Sequence, residues 1–202
     1  MFITFEGIDG CGKSTHIRRL AEYLETNGQK VLMIREPGGT VLSEKIRSIL
    51  LSHEIEINPN SELLLFEAAR AQLVAEVIVP GINEGFWVIA DRFFDSTLAY
   101  QGYGRKIDHF IVNRLNAFAT GGLIPDLTFY LQIPLEISAQ RTGEREKDRM
   151  ECSGDEFNSL IHKGFEEIAI SNPERVIVID SSESEESTFN QIIKEIKKRN
   201  II

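Results

Sequence analysis

Cysteine is nearly missing from this 202-residue chain. Only Cys11 and Cys152 occur, far apart and at no metal-ligand spacing, which argues against a disulfide framework or a cysteine-built zinc site. Long hydrophobic runs are also lacking. None approaches the ~20 residues of a membrane-crossing helix. The opening Met1-Phe2-Ile3-Thr4-Phe5-Glu6 has no basic stretch of the secretory kind, so no membrane partner is expected and a reducing cytoplasm is the expected location. Positive charge is in deficit, with 22 Lys and Arg against 31 Asp and Glu and a formal net charge of -9. Such a chain repels a polyphosphate backbone at long range, and no basic aromatic surface offsets this, so no nucleic-acid partner is expected. A small phosphate ligand remains open, because it responds to a few local donors. No repeat or low-complexity linker divides the chain. With 42% apolar and 26% charged residues it is expected to fold as one globular domain over residues 1–202.

What is present is an alternation of short apolar runs with helical patterns. Phe2–Phe5, Val31–Ile34, Phe86–Ala90, Leu127–Ile133 and Val176–Ile179 are apolar nearly throughout, as strands buried on both faces must be. Ile17, Leu20, Ala21 and Leu24 repeat at helical spacing, and Gly28 supplies a stop. Phe189, Ile192, Ile193 and Ile196 do the same, with Ser182 and Glu185 placed as a capping box. The cluster Lys194, Lys197, Lys198 and Arg199 reads as cations complementing a helix C-terminus. The pattern predicts an α/β fold, a five-stranded parallel sheet with helices on both faces, whose ligands sit beyond the carboxyl ends of the strands.

Directly after the first run stands Gly7-Ile8-Asp9-Gly10-Cys11-Gly12-Lys13-Ser14, followed by Thr15 and the first helix. The glycines let successive backbone N–H groups curl around phosphate oxygens, and the helix start adds free donors and positive dipole character. Lys13 can neutralise β- and γ-phosphates, and the Ser14 hydroxyl can hold Mg²⁺. ATP is the expected phosphoryl donor. The third run closes on Asp91-Arg92: the carboxylate can bind Mg²⁺, and the guanidinium can grip a second phosphate. Two phosphate-binding elements at one sheet edge point to transfer between phosphates rather than simple hydrolysis.

The run Asp91-Arg92-Phe93-Phe94-Asp95-Ser96-Thr97-Leu98-Ala99-Tyr100-Gln101-Gly102 resembles the signature segment of thymidylate kinases. So do Arg35-Glu36-Pro37-Gly38-Gly39-Thr40, Leu65-Phe66-Glu67-Ala68-Ala69-Arg70 and Pro125-Asp126-Leu127-Thr128-Phe129-Tyr130-Leu131, in family order and spacing. The resemblance implies the P-loop nucleoside monophosphate kinase fold, phosphorylation of dTMP to dTDP by ATP with Mg²⁺ in dTTP synthesis, and a homodimer. It implies that Phe66 stacks on thymine, that Arg70 reaches a thymine carbonyl, and that Thr97 and Gln101 meet the pyrimidine edge with Ser96 in support. Phe66 and Arg70 share a helix face, but without the family Phe66 also fits core packing and Arg70 a solvated surface. Tyr100 would crowd the sugar 2′ position, and Asp9 would face the acceptor's 3′-hydroxyl. Arg35, Glu36, Pro37 and Arg47 match the acceptor-phosphate side, with Arg92 as the strongest phosphate ligand.

Between residues 141 and 151 eight of eleven residues are charged, with no apolar stripe. By composition this is a solvated loop; by position it resembles the mobile lid of nucleoside monophosphate kinases, at about 141–154. Some thymidylate kinases carry an arginine just after the loop aspartate. Here Gly10 stands there, so the chain resembles the bacterial subtype, in which a lid arginine covers the phosphates. Arg145 is the first candidate, Arg149 the second, and Arg141 is expected near adenine. Gln132 stands where many relatives have a carboxylate and is given no metal role, and Cys11 no redox role. A kinase of dUMP or purine monophosphates is the nearest alternative, and a P-loop switch or binding module a more distant one.

Overall fold

A computed structural model of the chain describes residues 1–143, 149, 150, 152 and 154–199. Strand β1 (Phe2–Glu6) leads into α1 (Lys13–Thr26), β2 (Val31–Arg35), α2 (Val41–Leu51) and α3 (Pro59–Leu73). Helix α3 continues through a π-helical turn at Val74–Ile78 into α4 (Val79–Asn83), and β3 (Trp87–Asp91) follows. Then α5 (Phe94–Thr97) runs on into a second π-helical segment at Leu98–Gly104, followed by α6 (His109–Thr120) and β4 (Leu127–Gln132). The chain closes with α7 (Leu135–Thr142), α8 (Asp155–Ser171), β5 (Val176–Asp180) and α9 (Glu185–Lys198).

The strands form one sheet in the order β2-β3-β1-β4-β5, every pairing parallel. The five strands expected from the apolar runs are therefore the five observed. Successive residues of β1 enter different cores, as a period of two requires. Ile3 and Phe5 pack with Leu20, Phe129 and Ile192 on one side, while Phe2 packs with Leu73, Val88 and Phe93 on the other. Each fully buried side chain of this size contributes roughly 1.5–3 kcal/mol. The connection after β1 departs to one side of it, and the connection after β3 returns to the other. This is the switch point at which open α/β sheets bind ligands. The carboxyl ends of β1, β3 and β4, carrying Glu6, Asp91 and Gln132, meet there.

Gly28 does end α1, with φ at 80° just beyond the Asn27 cap. The cap of α9 differs from expectation. Ser184, not Ser182, accepts from the Ser187 N–H at 3.1 Å. Ser182 is engaged by Asp180 at the end of β5, through both its N–H and its hydroxyl, and so is not available as a cap. Lys197 and Lys198 occupy the last turn of α9, as cations complementing a helix end do. Among the described residues no helix is long and apolar enough to cross a membrane.

Candidate active site

A cleft of about 930 Å³ lies at the switch point, within the size range of small-molecule sites. The loop after β1 forms its floor. Gly7 has φ at 134°, and a Cβ there would lie 2.6 Å from the Leu131 carbonyl oxygen. Gly12, the α1 N-cap, has φ at 95°. Both positions require glycine. Ile8 and Cys11 turn their side chains into the core, so they can serve a ligand only through their backbone. Burial pushes the Cys11 thiol up, which keeps it protonated. The Lys13 ammonium donates to the carbonyls of Gly7 and Ile8, both at 3.1 Å, and lies 4.0 Å from Asp9. The Ser14 hydroxyl donates to Asp91 at 3.0 Å. These two oxygens are hard donors of the kind Mg²⁺ takes. Among the described residues no cluster of three His, Cys, Asp or Glu could hold a metal unaided. The Ser14 and Asp91 oxygens fit Mg²⁺, which takes one or two protein oxygens and completes its shell with phosphate oxygens and water.

Across the floor stands Arg92. One of its nitrogens donates to the Gly7 carbonyl at 2.9 Å and to Ser96 at 3.1 Å; the other donates to Asp9 at 2.9 Å. Its guanidinium also lies 5.0 Å from the Tyr100 ring centroid. Behind Ser96 sits Glu6, whose carboxyl accepts from the Phe93 N–H at 2.8 Å and pairs with the Ser96 hydroxyl. Nothing in the local sequence marks Glu6 as a site residue, because the Phe93 and Ser96 groups that hold it lie 87 and 90 positions away. Burial, aided by the nearby Asp95, raises its pKa from 4.5 to about 8.

The sign of that shift sets a pH dependence. Between pH 4.5 and about 8 the folded chain holds a proton on Glu6 that the unfolded chain releases. Stability from this group is therefore lost as pH rises through that window. In urea unfolding, the wild type should fall steadily relative to Glu6→Gln across the window and level off above it. Parallel curves would contradict the assignment.

One wall of the cleft is built by α3 and the segment after β2. Phe66 lines it half-buried, together with Pro37, Thr97 and Gln101. Arg70 is only 2% exposed, which overturns the solvated alternative for it. Its Nε and Nη2 donate to Glu36 at 2.8 and 2.6 Å, and its Nη1 to Glu67 at 3.1 Å and Asn116 at 2.9 Å. Burial outweighs Arg70's attraction and moves Glu36 up to about 7. Arg47 donates to the Pro37 carbonyl at 2.8 Å and lines the cleft, so it too faces the site. Arg35 is exposed and pairs with Glu44 at 3.3 Å on the rim.

At the opposite end Arg141 bridges to the chain after β5. It donates to the carbonyls of Ser181 at 2.8 Å and Ser182 at 3.1 Å, beside Gly10 and Thr15. Arg149 lies against α2 and α3, 2.7 Å from Glu62 and donating to the Leu50 carbonyl at 2.9 Å. It is not brought to the phosphate loop. Arg145 lies outside the described residues. Gln132 donates to Glu166 at 2.9 Å.

A glycine-bounded anion cradle, a lysine over it, a hydroxyl–carboxylate pair and a facing arginine define a P-loop phosphotransferase of the nucleoside monophosphate kinase type. The family model described as thymidylate kinase matches residues 5–192. A thymidylate kinase of Kosmotoga olearia is 46% identical over 196 residues, covering 96% of this chain and 94% of its own. One from Thermosipho melanesiensis is 48% identical over 192 residues, covering 95% of each. The crystal structure of thymidylate kinase from Ehrlichia chaffeensis superposes with a TM-score of 0.79 at 37% identity, covering 97% of this chain and 98% of that one. The chain belongs to the thymidylate kinase family.

Proposed function

We propose that this chain transfers the γ-phosphoryl group of ATP to the phosphate of dTMP, giving ADP and dTDP. The observation that carries this reading is the placement of Lys13 and Arg92 on either side of Asp9, at 4.0 and 2.9 Å. One cation belongs to the loop that cradles a donor's phosphates, and the other faces it from the end of β3. Phosphoryl transfer needs little covalent help from the protein. It needs two phosphates held in line and positive charge around the moving group.

In this scheme Lys13 and the loop amides grip the β- and γ-phosphates. Arg92 holds the acceptor phosphate, supported by Arg47 and the segment at Glu36 and Pro37. Mg²⁺, held by Ser14 and Asp91, supplies charge neutralisation when bound. Asp9 orients the acceptor through its 3′-hydroxyl. Phe66 stacks on the base, Arg70 reaches a base carbonyl, Thr97 and Gln101 meet the pyrimidine edge, and Tyr100 crowds the 2′ position. Arg141 lies on the adenine side. The chain works as a single kinase domain with a lid at about 141–154, in the reducing cytoplasm. It pairs as a homodimer through apolar residues such as Leu64, Phe110 and Phe118, which are 55%, 67% and 87% exposed.

The deciding experiment is ADP release across a panel of nucleoside monophosphates. dTMP should exceed dUMP and UMP, and AMP and GMP should fail. A purine acceptor turned over faster than dTMP would make it a different kinase. Slow ATP hydrolysis that no acceptor accelerates would make it a switch.

The lid-arginine subtype is supported by Gly10, which leaves no arginine in the loop. In this reading Arg145 stabilises the transferring group and helps exclude water. Arg145→Ala should lower kcat by about 10²-fold, the scale of one lost transition-state donor. Unchanged kcat would remove Arg145 from the mechanism.

A further inference from the structure

Glu62, in the first turn of α3, is fully buried and does not itself line the cleft. A buried carboxylate is costly unless it is paired, and this one is paired heavily. Its Oε1 accepts from the Gln101 side-chain amide at 2.9 Å and from Arg105 Nε at 3.1 Å. Its Oε2 accepts from Arg105 Nη2 at 3.2 Å and meets Arg149 Nη1 at 2.7 Å. Two arginines more than offset its charge. Gln101 is the neutral member of the cluster, and the member that lines the cleft.

A carboxylate bridged by two guanidiniums accepts hydrogen bonds and donates none. The Gln101 end that faces Glu62 must therefore be its NH₂, and the end left for a ligand is its carbonyl oxygen. We propose that Glu62 is a positioning residue for base recognition. By fixing the Gln101 amide in one orientation, it makes the pocket present an acceptor to the pyrimidine edge. An acceptor matches a base with a hydrogen on its ring N3, such as thymine or uracil. It mismatches cytosine, whose N3 is itself an acceptor. The inference rests on dTMP being the acceptor substrate.

The structure also indicates what loss of the carboxylate does. In Glu62→Gln the new amide nitrogen would sit badly at the Oε2 position, where two guanidinium donors converge. At the Oε1 position it meets one guanidinium and Gln101, and Gln101 can turn over to accept from it. The variant thereby permits the opposite amide orientation, with NH₂ toward the cleft.

The test is kcat/KM for dTMP and for dCMP in wild type and Glu62→Gln. The preference for dTMP over dCMP should fall about tenfold or more, the effect of one mispaired buried polar contact. The change should lie mainly in KM for dTMP, with kcat little altered. A purely structural role would weaken both substrates in parallel, and an unchanged preference overturns the proposal. In a Gln101→Leu background, adding Glu62→Gln should leave the preference where Gln101→Leu sets it; a further independent drop also overturns it. Wild-type activity on dTMP reports on the proposed function, and the variant's preference reports on Glu62, so the two failures are distinct. Should Glu62→Gln not fold, NMR of the wild type decides. The Gln101 side-chain amide protons should be protected before nucleotide is added and stay so when dTMP binds. Protons that become protected only with dTMP overturn the assignment.

Discussion

Replacing Lys13 with alanine should cut phosphoryl transfer by about 10³-fold, at the upper end for a single electrostatic donor, while leaving the chain folded. The ammonium spans the carbonyls of Gly7 and Ile8 at the mouth of the phosphate cradle. No other lysine or arginine of the loop between Gly7 and Ser14 can replace its charge. Folding should survive because the loss leaves two carbonyls underpaired, at a cost of roughly 1–3 kcal/mol against a typical total of 5–15 kcal/mol. Coupled ADP release and a circular-dichroism melt measure the two halves of this expectation. Substantial transfer by a folded variant would mean that the loop does not carry the donor phosphates.

Arg92→Lys should lose about 10²-fold in kcat/KM for dTMP, with KM for ATP nearly unchanged. Lysine keeps the charge but not the fork. In the structure that fork divides between Asp9 on one nitrogen and Gly7 and Ser96 on the other, so a point charge cannot reproduce it. The backbone adds its own indication. Arg92 has φ at 70°, in the left-handed region that disfavours any residue with a Cβ by roughly 1–2 kcal/mol. An arginine in a conformation suited to glycine points to a role for its side chain. Equal loss toward ATP and dTMP would instead place Arg92 at the transferring group rather than on the acceptor.

The parts of this molecule that were legible in its sequence are those in which local chemistry and local geometry coincide. The apolar strands, the glycine-bounded loop and the placement of Asp91-Arg92 beside that loop all follow from a few consecutive residues. The buried polar scaffold was not legible in that way. Glu6, Glu62, Glu67 and Asn116 are ordinary polar residues until tertiary contacts enclose them. Each is partnered across the fold or across a helix turn: Glu6 with Phe93, Glu62 with Arg105, Glu67 and Asn116 with Arg70. Arg70 shows the same limit. On a helix it reads as a surface cation, and only the convergence of Glu36, Glu67 and Asn116 accounts for its burial. Ser182 and Ser184 both offer a hydroxyl ahead of α9, so local sequence does not distinguish the two as caps. Which of them caps was decided by Asp180, which engages Ser182.

The two thiols of the chain differ sharply in access. Cys11 is enclosed beneath the phosphate loop, whereas Cys152 is exposed in the segment between α7 and α8. A maleimide dye added to the unmodified protein will therefore attach at one place, beside the charged segment that begins at residue 141, without mutagenesis. Its emission offers an optical test of whether that segment responds to added nucleotide, from a fluorophore remote in sequence from Gly7–Ser14.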